Sequence, residues 1–496
     1  MTESTGVCDR EGVPGALRRP AAGAGPFGSR HAAGRGARAP GAGARRLVFA
    51  VTALGAFMAS LDLSIVNVAF PALERSFPHD GAASLAWVIT GYSIVFGALL
   101  VVAGRSADRL GGRRVFFAGL AVFCLGSALC GLAPSVGLLV AGRLVQGAGA
   151  AALLPSSLGL LLATFAERQR SQVVALWAGI GALAVATGPS LGAMLITAFG
   201  WRAAFAVNLP VGLVAWRAGR RVLRDTAGDA GHAPDYPGAL MLAGALALVV
   251  LAISQGPAWG WTSAPVVASF AGAGAVAAAF LARSARHRDP VLDLTLFRSR
   301  SFAVANAAVV VYAMGFFAML LGNVLFLTGV WHYSILRAGL AITPGPLVVA
   351  AVSGPAGRLA GRVGFRRVTL VGFAVFAAGL AWYVARVGLE PRYLSVWLPG
   401  TLVAGLGIGL TFPILGAAAV SSLHPERFAV GSAVNQTARQ VGGALGVAVL
   451  VVVLGTPHTA QAALDGFRHV WEFATAMALA SGAICALLRP GVPVPA

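Results

Sequence analysis

The segment Gly104–Arg114 reads GRSADRLGGRR, and the segment Gly357–Arg367 reads GRLAGRVGFRR. The two align without gaps at a separation of 253 residues, about half of the 496-residue chain. Each segment is rich in glycine and arginine and lies between two long apolar runs. A sequence that returns at half the chain length predicts two structurally related halves.

Apolar runs surround both segments and follow one another from residue 45 to the C-terminus. A helix of about 20 apolar residues crosses the roughly 30 Å hydrocarbon core of a membrane. The repeated segment then joins the second and third of six helices in each half, and the pair at 237–254 and 264–282 is inserted between the halves. We predict fourteen spans, over residues 47–70, 83–103, 114–133, 137–163, 172–196, 202–219, 237–254, 264–282, 302–327, 337–356, 367–386, 394–420, 430–454 and 470–488.

The composition agrees with a membrane protein. Hydrophobic residues make up 57% of the chain and charged residues 11%, whereas about 25% of residues are charged in a soluble domain. The 37 basic and 17 acidic residues are too few to cover the surface of a soluble protein of this length. A soluble enzyme, a disordered chain and a disulfide scaffold are therefore excluded, and we expect an all-α polytopic membrane protein.

The basic residues, all arginine, orient the chain. On the fourteen-span assignment 23 of them lie in loops on one side of the membrane and 6 in loops on the other. This positive-inside asymmetry predicts that both termini are cytoplasmic, which requires an even number of spans. Twelve spans satisfy it as well as fourteen, but Trp259 and Trp261 between the inserted helices favour fourteen, because such aromatics mark a membrane interface. Arginines confined to short loops also exclude a nucleic-acid binder, despite the net charge of +20.

Four regions follow from this pattern. Residues 1–44 are mostly Gly, Ala, Arg and Pro with no apolar periodicity, which predicts a disordered cytoplasmic tail. Residues 45–222 form an N-terminal six-helix bundle and residues 223–290 the inserted pair. Residues 291–496 form a C-terminal six-helix bundle with a short tail.

Asp62, in the first predicted helix, is the only acidic residue well inside a predicted span. Ionising a carboxylate there is costly, so its surroundings favour proton binding, which proton exchange requires. Asn67 is expected to share its hydrogen-bond network. The alternative is a structural hydrogen-bonding role for Asp62 beside a water-filled outer vestibule.

Arg143 lies in the fourth predicted helix, within the motif Gly142–Gly149 (GRLVQGAG), and Gln146 accompanies it. A cation inside a membrane needs a partner or a water-filled path, and it is by default a functional residue. The alternative is an arginine that packs the bundle through hydrogen bonds to carbonyl groups. The sequence does not determine whether Arg143 reaches Asp62.

Two glycine-containing motifs point to conformational roles. In the loop segment the glycines allow a tight turn, and Asp108 is suited to accept hydrogen bonds from arginines or a helix N-terminus. Such a clasp would hold two helices together in one conformation, although Gly361 replaces Asp108 in the second copy. In the fifth helix, the motif Gly188–Gly192 (GPSLG) allows close helix approach, and Pro189 bends the helix.

Taken in order, these motifs resemble those of the major facilitator superfamily, in its fourteen-helix drug:proton antiporter branch, over about residues 45–490. The resemblance implies a major facilitator fold and proton-coupled export of a drug, antibiotic or metabolite across the cytoplasmic membrane. It implies proton coupling by Asp62 and Arg143. It also implies a gating motif of Gly104, Asp108, Arg109, Gly111 and Arg113, and an antiporter motif of Gly188, Pro189 and Gly192.

The C-terminal half contains Asn435–Gly446 (NQTARQVGGALG), which also resembles this branch. Asn435 and Arg439 are candidates to line a cavity together with Asn67 and Gln146. An interhelical polar network is the alternative interpretation. The aromatic residues that are candidates for a substrate pocket are Trp87, Tyr92, Tyr312, Phe316 and Trp331.

No phosphate-binding loop, metal-ligand cluster or nucleophile elbow occurs at usable spacing. We therefore expect no catalytic activity, no metal and no cofactor, with the proton gradient as energy source. The expected partners are a small organic substrate, protons and lipid, and the chain is expected to function as a monomer. A proton-coupled uptake symporter of the same fold is the alternative, against which the antiporter motif and the fourteen spans argue.

Overall fold

The computed structural model of the protein describes residues 42–224, 233–421, 423 and 427–488, and every regular element in these ranges is a helix. The predicted tail lies outside the described residues except at its end, where the first helix begins at Ala42, slightly before the predicted boundary. The N-terminal half comprises α1 (Ala42–Ser76), α2 (Ala82–Leu110), α3 (Gly112–Gly131), α4 (Val136–Thr164), α5 (Glu167–Phe199), α6 (Ala203–Ala206) and α7 (Asn208–Val222).

Two helices follow before the second half, namely α8 (Tyr236–Trp259) and α9 (Ala264–Arg286), here called the inserted pair. A single 3-10 turn, Leu294–Arg298, leads into the second half, and a π turn, Tyr393–Trp397, precedes its fifth helix. The C-terminal half comprises α10 (Arg300–Gly329), α11 (Ile335–Ile342), α12 (Pro344–Val363), α13 (Phe365–Arg386), α14 (Leu398–Ser421), α15 (Phe428–Leu454) and α16 (Ala460–Cys485).

Twelve helical segments within the described residues are long and apolar enough to cross a membrane, and both helices of the inserted pair are among them. Two of the fourteen predicted spans are not among these twelve segments. The span predicted at 202–219 is divided into the short helices α6 and α7, and α7 has only 15 residues. The span predicted at 470–488 belongs to α16, whose first half carries Asp465, Arg468 and Glu472. Fourteen spans therefore stay a prediction.

The packing of the helices repeats between the halves. In the N-terminal half α3 and α2 pack on α4, and α1 packs on α5; in the C-terminal half α13 and α12 pack on α14, and α10 packs on α15. The halves meet where α2 contacts α15, where α5 contacts α11 and α12, and where α1 contacts α10 and α11. The internal repeat in the sequence thus corresponds to a structural repeat.

Both copies of the repeated segment form the same turn. Gly111 ends α2 and precedes α3 with a φ of 96°, and Gly364 ends α12 and precedes α13 with a φ of 91°. L-residues with a side chain rarely adopt such positive φ values, so glycine is required at each turn. The glycine that the two copies share is therefore explained by backbone geometry.

The inserted pair is attached to the first copy of this segment. The hydroxyl groups of Tyr236 in α8 and Ser106 in α2 are 3.0 Å apart, and Arg105 forms an ion pair with Asp289 at 3.6 Å. Within the pair, the Asp235 carboxylate caps α8 by accepting from the Gly238 amide and binds Arg283 of α9 at 2.6 Å. The inserted helices are therefore tied both to each other and to the C-terminal end of α2.

Candidate functional site

The two charged residues predicted inside the N-terminal half form one ion pair. Nη1 of Arg143, on α4, lies 2.5 Å from Oδ2 of Asp62, on α1. Each residue has only 1% of its surface exposed. A buried ion pair is stable only when the remaining polar atoms are also hydrogen-bonded.

Gln146 supplies part of that bonding. Its side-chain amide donates to Oδ1 of Asp62 at 2.8 Å, and its carbonyl oxygen accepts from Arg143 at 2.6 Å. The same amide donates to the Ser127 hydroxyl of α3, also at 2.8 Å. Asn208, at the start of α7, donates to both Asp62 and Ser127 at 3.3 and 3.2 Å. The network thus joins α1, α3, α4 and α7.

The other faces of the Arg143 guanidinium contact α2. Its Nε donates to the Val88 carbonyl oxygen at 2.8 Å, and its Cζ lies 4.1 Å from the centre of the Tyr92 ring. A cation over an aromatic face is attracted by the ring quadrupole. Tyr92 is fully buried in this contact, so it serves the ion pair and does not line an open pocket.

Asn67 does not join the network, contrary to expectation. Its side-chain nitrogen donates to the Leu63 carbonyl oxygen of its own helix at 2.7 Å, and its Oδ1 is buried without a hydrogen-bond partner among the described residues. The reason is helical geometry, because residues five apart point about 140° away from each other at 3.6 residues per turn. Asn67 therefore faces away from Asp62.

Ser127 and Asn208 are not among the site residues predicted from the sequence. Each is a single polar side chain in an otherwise apolar stretch, and such groups are hydrogen-bonded when buried. That signal indicates a partner without identifying it, since the partners lie 19 to 146 residues away along the chain and on other helices.

The antiporter motif in α5 lies at two helix contacts. A methyl group on Gly188 would overlap the Ser64 side chain of α1, and one on Gly192 would lie 3.1 Å from Ile65. On the opposite side, a Cβ atom at Gly339 of α11 would lie 2.5 Å from the Pro189 carbonyl oxygen. The motif therefore packs α5 against the helix of Asp62 and also against the C-terminal half.

The residues of the predicted gating motif are distributed around the turn after α2. Gly104 faces Pro155 of α4, and the Arg113 guanidinium lies 5.7 Å from the Phe117 ring. Asp108 and Arg109 are exposed. Asp108 makes no hydrogen bond or ion pair with a residue that the structure describes, so the expected clasp through its carboxylate is not formed here.

The candidate residues of the C-terminal half lie apart from the Asp62 network. Asn435 donates to Asn306 of α10 at 3.1 Å, and the Arg439 guanidinium lies 5.3 Å from the centre of the Phe412 ring. No hydrogen bond among the described residues joins either one to Asp62 or Gln146. The four residues predicted to share one cavity therefore do not lie together. Gln146 belongs to the Asp62 network and Asn67 faces away from it, whereas Asn435 and Arg439 lie in the C-terminal half.

The chain has two related helical halves, each with several helices long and apolar enough to span a membrane, and a buried ion pair lies inside one half. These features define a polytopic membrane transporter. The family model described as the Major Facilitator Superfamily matches residues 52–447. The chain therefore belongs to the major facilitator superfamily, whose members are multi-pass transporters of the cell membrane and not enzymes.

Individual proteins agree with this assignment. The chain is 34% identical to the multidrug resistance protein Stp of Mycobacterium tuberculosis (strain CDC 1551 / Oshkosh), over 86% of this chain and 80% of that protein. It is 35% identical to a methylenomycin A resistance protein of Streptomyces coelicolor, over 82% of this chain and 85% of that protein. A solved bacterial homologue of the human drug peptide transporters PepT1 and PepT2 shares the fold, with a TM-score of 0.62 at 15% identity, over 90% of this chain and 97% of that one.

Proposed function

We propose that this protein exports a small organic compound, a drug, antibiotic or metabolite, in exchange for protons by alternating access. The observation that carries the proposal is the ion pair between Asp62 and Arg143, which is sealed from solvent inside the N-terminal half. The names of the relatives, which concern resistance to several drugs and to methylenomycin A, support outward transport.

Proton binding at Asp62 changes the energetics of the whole network. The ionised carboxylate compensates the Arg143 guanidinium, and protonation removes that compensation. An uncompensated cation in a low-dielectric site is strongly unfavourable. A proton on Asp62 therefore favours a different helix arrangement, in which Arg143 reaches water or another partner, and this shifts the population between two conformations.

The burial of Asp62 also explains why proton exchange would be coupled to movement. A carboxylate that is 1% exposed exchanges protons with water only after neighbouring helices separate. The helix of Asp62 packs on α5 through Ser64 and Gly188, and α5 packs on the other half through Pro189 and Gly339. A change at Asp62 is thereby transmitted to the contact between the halves.

The same proposal includes the topology and the energy source. Fourteen spans result when α6 with α7 and the inner part of α16 also cross the membrane, and the distribution of arginines then favours cytoplasmic termini. The proton gradient supplies the energy and no bound cofactor is needed. In this proposal the chain acts as a monomer, with one Asp62 network in each molecule.

Transport in proteoliposomes tests the proposal. A drug-susceptibility panel in an efflux-deficient host first identifies a transported compound. Purified protein is then reconstituted with a trapped pH dye, and proton flux is recorded as that compound is added under an imposed pH gradient. We expect counterflow of protons and compound in the wild type and in Asp80→Asn, since Asp80 is exposed in the loop after α1, and loss of coupling in Asp62→Asn.

Two results would count against the proposal. Normal gradient-driven export by Asp62→Asn would remove the assigned proton role of that residue. Movement of protons and compound in the same direction, with accumulation in cells, would favour the uptake symporter instead.

A further inference from the structure

The second arginine within the membrane, Arg439 of α15, has surroundings opposite to those of Arg143. Arg143 is bonded to a carboxylate, an amide and a backbone carbonyl group. The Nε of Arg439 is buried without a hydrogen-bond partner, and no nitrogen of its guanidinium bonds to a residue that the structure describes. Arg439 as a whole is only partly buried, which leaves part of its side chain accessible to a ligand.

No described carboxylate of the C-terminal half compensates Arg439. Asp293, Glu390 and Asp465 lie outside the apolar spans, and each is paired with another arginine. Glu472 is exposed, beside Trp471, whose indole donates to Asn323 near the outer end of α10. Asp62 already forms an ion pair with Arg143, so the positive charge of Arg439 is not compensated by any described carboxylate.

Aromatic rings surround the Arg439 guanidinium on one side. The Phe412 ring lies 5.3 Å from it, and that ring contacts Phe316 and Tyr312 at centroid distances of 4.9 and 4.6 Å. Phe412 and Phe316 are only partly buried, so their faces are available to a ligand. A flat apolar molecule packs well against such a surface.

Two further polar side chains lie close to Arg439 on the same helix. Asn435 is one turn before Arg439 and therefore on the same face of α15. Gln440 is 1% exposed, and neither its amide nitrogen nor its carbonyl oxygen has a partner among the described residues. Its side chain packs against Gly97 of α2, at the contact between the halves. Polar groups left without partners inside a protein commonly belong to a ligand site.

We infer that Arg439 and the rings of Phe412 and Phe316 form a binding site for organic anions that carry an aromatic ring system. The guanidinium binds a carboxylate or phenolate group through charge-assisted hydrogen bonds, and the ring system packs on the phenylalanines. An organic cation is disfavoured, because the site holds positive charge and no acidic side chain from the described part of the chain. The inference rests on the proposed function only in taking this ligand to be the transported compound.

Direct binding tests this without transport. Wild-type protein in lipid nanodiscs is titrated at pH 7 with three probes that share one ring system: anthracene-9-carboxylate, anthracene-9-carboxamide and (anthracen-9-ylmethyl)trimethylammonium. Tryptophan quenching reports binding. We expect the carboxylate to bind at least about tenfold more tightly than the amide, which corresponds to one charge-assisted hydrogen bond, and the ammonium probe to bind most weakly.

Variants locate the effect. Arg439→Gln is expected to lower carboxylate affinity at least about tenfold and to leave the amide nearly unchanged, while Arg439→Lys keeps part of the preference because it keeps the charge. Arg386→Gln is the matched control, since Arg386 also lies 5.3 Å from an aromatic ring, that of Trp382, but is exposed. It should bind all three probes as the wild type does.

The order of affinities in the wild type decides the inference even if a variant fails to fold. Equal affinities, a preference for the ammonium probe, or no binding of any probe would overturn it. Proton-coupled export together with such a result would leave the proposed function intact. Conversely, a carboxylate preference that depends on Arg439, in a protein without export activity, would support this site and refute the proposed function.

Discussion

Asp62 and Arg143 are 81 residues apart in the sequence and 2.5 Å apart at their nearest atoms, with both side chains removed from solvent. Each residue alone would be strongly unfavourable in a membrane. Together, with the amide of Gln146 bonded to both, they form a unit whose charge is balanced. The two residues therefore act as one ion pair, and substituting either of them tests whether they depend on each other.

Asp62→Asn is expected to destabilise the folded protein by about 3–5 kcal/mol, because it leaves the Arg143 guanidinium buried without a counter-charge. The double variant Asp62→Asn/Arg143→Met is expected to be less destabilised than the sum of the single variants, by about 1–3 kcal/mol. Unfolding by SDS in mixed micelles measures both. Asp80→Asn, in an exposed loop, should change stability by less than about 0.5 kcal/mol.

Strict additivity of the two substitutions would show that the residues do not interact in the folded protein. Restored stability in the double variant without restored proton coupling would separate the structural role of the pair from its role in transport. We expect the latter result, because Met carries no charge to respond to protonation.

The architecture was largely predictable, because lipid exposure imposes a simple pattern on the sequence. Long apolar runs, the arginine-rich loops between them and the repeat at Gly104 and Gly357 were sufficient to predict two helical halves with an inserted pair. Helix ends were less predictable. The break at Val207 between α6 and α7 places Asn208 in the buried network, and Pro210 in the first turn of α7 is its only local signal, because proline has no N–H to continue a preceding helix.

The partners of each site residue could not be read from the sequence, because they lie on different helices. Asp62 and Arg143 stand out by charge alone, but their contact depends on how α1 and α4 pack. Asn67 shows the limit within a single helix, since proximity in sequence suggested a shared network and its orientation on α1 excludes it. Arg439 was predicted to face a cavity, and only the structure shows that no described acidic residue pairs with it.

A substitution at Gly188 tests the contact between α1 and α5. Gly188→Ala is expected to destabilise the protein by about 1–3 kcal/mol and to impair export, because the new methyl group overlaps Ser64. Gly179→Ala is the matched control in the same helix, since no atom lies within 4 Å of the position of its Cβ. If both variants behaved alike in SDS unfolding and export, the close contact would have no functional importance.

The pH dependence of the inserted pair is governed by Asp235. Burial raises the pKa of this carboxyl, but hydrogen bonds from Arg283 and the Gly238 amide, with the charges of Arg283 and His287, lower the pKa below its usual value. The ionised group therefore stabilises the folded state above its unfolded-state pKa of about 4, and that contribution is lost as the pH falls through the lower folded-state pKa.

Asp235→Asn isolates this effect, because asparagine caps a helix about as well as aspartate but carries no charge. We expect faster amide exchange at the start of α8 in the variant at pH 7, corresponding to about 0.5–1 kcal/mol for a partly exposed pair. The difference from the wild type should shrink once the pH falls below about 4. A difference that persists in acid would show that the loss is not electrostatic.

The repeated turn gives the last prediction. Gly111→Ala and Gly364→Ala should each destabilise the protein by about 1–2 kcal/mol, because alanine is strained at φ values of 96° and 91°. Gly361→Ala, in the last turn of α12 with no atom within 4 Å of its Cβ position, is the control and should be neutral in SDS unfolding. Since the two turns share one backbone conformation, similar losses are expected in both halves. A loss at Gly111 alone would mean that the second copy has kept the shape of the turn without depending on it.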